Sequence, residues 1–112
     1  MAVRIDEAAL TRLLPEIEQI GDAAMRRGVV AIWLDIAAEC PWERFEDIPK
    51  NLDAERNRRL IDHIRGVTQM ALALAELGRA RNGAAYDRDV LVAACLLHDV
   101  SKPMESEPDP EG

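Results

Sequence analysis

Aromatic side chains are scarce: two Trp, one Tyr and one Phe make up 4% of the 112 residues, although 48% of the chain is hydrophobic. Sheets that pack face to face draw on aromatic and β-branched residues, so a core built mainly from Ala, Leu, Ile and Val points instead to packed helices. The expected fold class is all-α, in a single domain. Cysteine is nearly absent as well. Cys40 and Cys95 cannot form a disulfide framework, which favours a reducing compartment. Basic residues are the minority, 14 against 21 acidic ones, giving a net charge of −7 and a pI near 4.8. No long-range attraction to nucleic acid or to an anionic membrane is expected from such a chain. No stretch approaches the roughly 18 consecutive apolar residues of a membrane span. The N-terminus, Met1 to Glu7, lacks the apolar segment of a signal peptide. These absences predict a soluble, cytoplasmic protein. Also missing are a Gly-rich phosphate loop, a Ser nucleophile elbow and a Cys-x-x-Cys pair.

What is present reads as a series of helices. Asp6 is placed to cap a first helix through Leu14, with Leu10, Leu13 and Leu14 on one side. Pro15 interrupts it and suits the first position of a short piece to Ile20 that Gly21 closes. Asp22 then opens an amphipathic helix on which Met25, Val29, Trp33 (or Ile32) and Ile36 recur at steps of three and four. That helix ends near Cys40-Pro41. Residues 41–53 hold two prolines and no sustained period, which predicts a loop pinned by Trp42 and Phe45. A third helix, starting between Ala54 and Leu60, carries the stripe Leu60, Ile64, Val67, Ala71 and Leu74, and is expected to stop near Gly78. His63 lies beside that stripe, with Val67, Met70 and Leu74 following on the same flank, so it should point partly inward. Asn82-Gly83 marks a turn, and Asp87 caps the last helix. Residues 103–112, acidic and Pro-rich, are expected to form a disordered tail or a cut end after a domain spanning 1–102.

The last helix leads to the chemistry. Residues 90–97 read Val-Leu-Val-Ala-Ala-Cys-Leu-Leu, which predicts an element buried on all sides; a buried strand is the competing assignment. The run ends directly in His98 and Asp99. A carboxylate at the end of a buried element costs several kcal/mol unless a cation or a hydrogen-bond network answers it. The chain has two histidines, and antiparallel packing of their helices would bring His63 and His98 together. At an axial separation of about 8–10 Å, two imidazoles can converge on one ion. Asp99 follows His98 by about 100° around the helix and can serve the same ion. Two His and one Asp suit Fe, Mn, Co, Ni or Zn. The competing account is a plain helix end with Asp99 paired to Lys102. Arg56, Arg58 and Arg59 read as a solvated basic patch. Trp33, Trp42 and Met70 read as core or loop anchors, and Cys95 as an inert core thiol.

The run Leu96-Leu97-His98-Asp99-Val100-Ser101-Lys102 resembles the Leu-Leu-His-Asp-Ile-Gly-Lys signature of the HD-domain metal-dependent phosphohydrolases. His63-x3-Val67-x3-Ala71-x-Ala73 is similar to that family's upstream His helix. The resemblance implies an HD-like helical bundle in which His63, His98 and Asp99 bind a divalent metal and Lys102 lies near a substrate phosphate. It implies hydrolysis of a phosphate ester, commonly of a nucleotide, by a water that the metal activates and Asp99 helps orient. Ser101 stands where the family often has Gly. The family's fourth ligand, an Asp on a later helix, has no counterpart here, since Asp109 sits among prolines. The expectation is therefore the N-terminal part of a longer protein, acting on a small phosphorylated substrate. The alternative is a catalytically incomplete HD-like module for ligand binding or dimerisation, in which uncovered apolar faces favour a homodimer.

Overall fold

In the computed structural model, residues 5–51, 55–105 and 107–108 are described, with backbone alone for 51 and 55–57. Asp6 accepts the Ala9 N–H and starts helix α1, Glu7–Leu13. Pro15 cannot continue an α-helix across its ring, and the chain tightens into a 3-10 turn, Pro15–Gln19. Asp22 accepts the Met25 N–H and starts α2, Ala23–Glu39, which ends at Cys40. A second 3-10 turn, Phe45–Asp47, leads to strand β1, Pro49–Asn51, and strand β2, Glu55–Arg59, runs directly into α3, Leu60–Asn82. Asp87 accepts the Val90 N–H and caps α4, Arg88–Leu97. A turn through residues 98–101 then gives the four-residue α5, Lys102–Glu105. The chain is mostly helical, as its composition implies.

The core is formed by Leu10, Leu14, Ile17 and Ile20 from the N-terminal pieces and Val29, Val30, Trp33 and Ala37 from α2. Phe45, Ile48, Leu60, Ile64, Val92 and Leu96 close it from the other side. Fully burying one aliphatic side chain of this size contributes about 1.5–3 kcal/mol. Trp33 joins the layers. Its ring meets Phe45 edge to face at 5.6 Å between centroids, and its Nε1 donates to the Leu96 carbonyl at 3.1 Å.

Five expectations change. The segment predicted over 41–53 is described to residue 51, with 52 and 53 outside the described residues; that part is pinned by buried Trp42 and Phe45, but it also holds β1, antiparallel to β2. Fully buried Ile48 gives its carbonyl to the Leu60 N–H, and Pro49 stands first in an edge strand, where a missing N–H is tolerated. Helix α3 passes Gly78 and stops at Gly83, whose φ of 66° provides the left-handed cap that a β-carbon would disfavour. Of its stripe only Leu60 and Ile64 are buried, with Thr68 buried beside them; Val67 and Ala71 are half-buried, and Leu74, Met70 and Leu77 are exposed. Met70 is therefore not a core anchor. Helix α4 is not buried on all sides: Val92 and Leu96 are inside, while Val90 is 50% exposed. Neighbours among the described residues cover one face of it, from α2, α3 and the 15–19 turn. The supposed tail begins with helix α5, in which Pro103 is fully buried. Residues 109–112, Asp109 among them, lie outside the described residues.

A buried carboxylate was not anticipated. Glu16 is 3% exposed and takes hydrogen bonds from Arg65 Nε at 3.1 Å and Gln69 Nε2 at 3.0 Å, tying the first 3-10 turn to the near half of α3. Burial alone would raise its pKa. The hydrogen bonds from Arg65 and Gln69, with its own backbone N–H and the Arg65 charge, outweigh burial and hold it below the ordinary 4.5. Because the folded-state pKa is the lower one, the unfolded chain binds the proton first as pH falls. The contribution is complete above the ordinary carboxylate value and is lost as pH drops through the folded value. Glu16→Gln should therefore destabilise the protein by about 1–3 kcal/mol at neutral pH. Urea unfolding across the acid range should show that difference vanish; a difference unchanged well below pH 4.5 would contradict an ionised Glu16.

Candidate metal centre

His63 stands on the first turns of α3, and His98 is the residue that ends α4. Packing of α3 on α4 with these two ends together makes the helices antiparallel, as their sequence positions suggest. Asp99 follows in the turn. Its Oδ2 lies 3.0 Å from the Nε2 of His63 and 3.0 Å from the Nε2 of His98. The two imidazole centroids are 5.5 Å apart, tilted by 56°. The side chains of His63 and Asp99 are 16% and 20% exposed, against 35% for His98, so the cluster is sunk on one side and open on the other.

These contacts fit a bound cation. The Nδ1 of His98 lies 2.6 Å from the Cys95 carbonyl. A carbonyl only accepts, so Nδ1 carries the proton, and a neutral His98 then turns a bare Nε2 lone pair toward the Asp99 oxygen. Two lone pairs at that distance repel unless a proton or a cation lies between them. Ligand atoms about 2.0–2.2 Å from one ion stand about 3.0–3.4 Å from each other at octahedral or tetrahedral angles, which matches the observed separations. One ligand atom from each of the three residues lies within 4.8 Å of the others. The Cys95 carbonyl is the outer partner that fixes the ring and its tautomer.

Burial lowers the pKa of His63; the Lys50 ammonium and His98 add to that, against the raising pull of the Asp99 charge and hydrogen bond. The net direction favours the neutral ring that a metal needs. Lys102 does not pair with Asp99. Its Nζ is 3.6 Å from Glu105 and only its backbone N–H meets the Asp99 carbonyl. Cys95 is partly buried, with its thiol pushed up by burial, and Cys40 is buried; both are free thiols. Lys50 was not anticipated near this centre. Its charge is felt at His63 because β1 packs on α3, and nothing in the polar run of β2 signalled a strand.

A His-His-Asp set between antiparallel helix ends defines a candidate divalent-metal centre in an all-α protein. Residues 60–111, which carry all three side chains, match the family described as HD domain. Over 101 residues the chain is 30% identical to dihydroneopterin 2',3'-cyclic phosphate phosphodiesterase of Methanocaldococcus jannaschii, an alignment covering 84% of this chain and 41% of that enzyme. The chain thus spans less than half the length of that relative. No solved structure matches it. No helix among the described residues is long and apolar enough to cross a membrane.

Proposed function

We propose that this chain carries the metal centre of a phosphohydrolase, with His63, His98 and Asp99 holding a divalent ion of the Mn, Fe, Co, Ni or Zn type. The observation that carries this is the convergence of both imidazole Nε2 atoms on one Asp99 oxygen at 3.0 Å. A divalent cation there supplies Lewis-acid chemistry, making water more acidic and offsetting phosphate charge. Asp99, with a second oxygen to spare, orients the attacking water, and the more exposed His98 side of the cluster admits the substrate. The relative acts on a cyclic phosphate, which supports a small phosphodiester as the first substrate class to test. Neither nucleic acid nor membrane is a partner in this proposal.

The test is elemental analysis of protein purified without chelator or nickel resin, beside the double variant His98→Ala, Asp99→Ala. Near-stoichiometric metal in the wild type and none in the variant is the expected result, followed by hydrolysis of bis(p-nitrophenyl) phosphate with the matching ion. A metal-free wild type would remove the enzymatic proposal. The second reading, an incomplete module that self-associates, is favoured by the exposed Met70, Leu74 and Leu77 on α3. A metal-free homodimer in light scattering would select it.

A further inference from the structure

Residues 16–22 lie outside the segment 60–111 that carries the three candidate ligands, yet they are bonded to both helices that bring those ligands together. Toward α3, the buried Glu16 carboxylate takes the hydrogen bonds from Arg65 and Gln69. Toward α4, the Asp89 carboxylate accepts the Gly21 N–H at 2.9 Å and the Asp22 N–H at 2.8 Å. Those two bonds hold Asp89 below the ordinary carboxylate range. Arg88, its neighbour, donates to the Gln19 carbonyl at 3.2 Å and to the Gln19 side-chain oxygen at 2.8 Å. Arg65 follows His63 by two residues, about 200° around α3 at about 100° per residue. Asp89 precedes His98 by nine residues, about 900°, which places the two half a turn apart around α4. The segment therefore grips each helix on the side turned away from its histidine.

We propose that residues 16–22 are a clamp for the candidate metal centre, with Glu16 and Asp89 as positioning residues that fix the roll of α3 and α4 so that both imidazole Nε2 atoms meet the Asp99 oxygen. This rests on the metal-centre proposal and adds a second part of the chain to it. The tolerance is narrow. A roll of about 15° carries an atom about 6 Å from a helix axis through about 1.6 Å, beyond the roughly 0.5 Å within which a binding constellation must be held. Apolar packing at Leu60, Ile64, Val92 and Leu96 holds the helices in the core, but such burial is non-directional. A carboxylate bonded at fixed distances to two donors sets an angle as well as a contact.

The experiment titrates wild type, Glu16→Gln, Asp89→Ala and Ala31→Gly with Co²⁺, reading affinity and, at saturation, the visible absorption bands that report coordination geometry. Ala31 is exposed on α2, so its glycine variant weakens a helix without touching the clamp and serves as the control for lost stability. Glu16→Gln should bind Co²⁺ about tenfold more weakly and Asp89→Ala about threefold, at or below the low end of what outer partners of metal ligands contribute. Both should also shift the absorption bands, while Ala31→Gly keeps the affinity and spectrum of wild type. Wild-type affinity and spectrum in Asp89→Ala, or in folded Glu16→Gln, would overturn the clamp and leave the metal centre standing. An Ala31→Gly variant as weak as the clamp variants would overturn it too, by tracing the effect to stability alone. Should Glu16→Gln fail to fold, Asp89→Ala, altered at the surface, decides the matter. A wild type that binds no Co²⁺ would overturn both proposals, and the first titration identifies that case.

Discussion

Asp99→Asn should weaken binding of Mn²⁺ or Zn²⁺ by at least about 100-fold, since even outer partners of metal ligands are worth 10–100-fold. Asparagine keeps the shape and one oxygen but removes the only anion in the cluster. Both histidines would then face a neutral amide, whose NH2 group can also donate to an Nε2 lone pair and occupy it. The fold should barely notice. Asp99 lies in a turn, its side chain is 20% exposed, and its backbone bond to Lys102 is untouched. A stability change within about 1 kcal/mol is expected for such a site. Calorimetric titration of metal and urea unfolding of the metal-free protein measure the two effects separately. Affinity retained within a few-fold would mean that the ion, if bound, does not use the Asp99 carboxylate.

Trp33→Ala should cost about 3–5 kcal/mol, the range for removing a large buried aromatic side chain. Three losses combine. The ring is 2% exposed, so a cavity opens between α2 and α4; the edge-to-face contact with Phe45 disappears; and the Leu96 carbonyl loses its indole donor. For a chain of this size, that is a large share of a typical stability of about 5–15 kcal/mol. Trp33→Phe removes the indole donor and part of the ring volume but keeps an aromatic side chain, at a smaller cost of about 1–3 kcal/mol. Leu96 stands two residues before His98, so the milder variant should also loosen the metal site, by about tenfold in affinity. Urea unfolding and metal titration of both variants test this. Trp33→Phe with unchanged affinity would show that the end of α4 holds its position without the indole.

The site was more legible in the sequence than its surroundings. His98 and Asp99 stand where an uninterrupted apolar run ends, and His63 sits at helical spacing from Val67, Met70 and Leu74, so periodicity together with antiparallel packing of the two helices brought the three together. Caps were equally readable, because Asp6, Asp22 and Asp87 each accept the N–H three residues on. The hairpin was not readable. Strand β2 is Glu-Arg-Asn-Arg-Arg, with no apolar alternation, and it forms through backbone pairing and the Ile48 to Leu60 bond rather than through side-chain burial. Glu16 was hidden for a related reason: its partners, Arg65 and Gln69, lie about fifty residues away. The far half of α3 looked like core because Met70, Ala71 and Leu74 are apolar, yet apolar spacing reports which face could be covered, not what covers it.

The unequal anchoring of α3 gives the centre a form of insulation. Its near half is fastened by Glu16 and by the Ile48 carbonyl, and it carries His63; its far half, beyond the partly buried Leu72, runs along the surface to Asn82 with Leu74 and Leu77 in solvent. Helices open first where few buried contacts resist. Transient unwinding from the Gly83 end can thus consume several turns before it reaches the histidine. Amide protons in that outer stretch would exchange freely while those around His63 stayed protected, and the ligand geometry would outlast the melting of half its own helix.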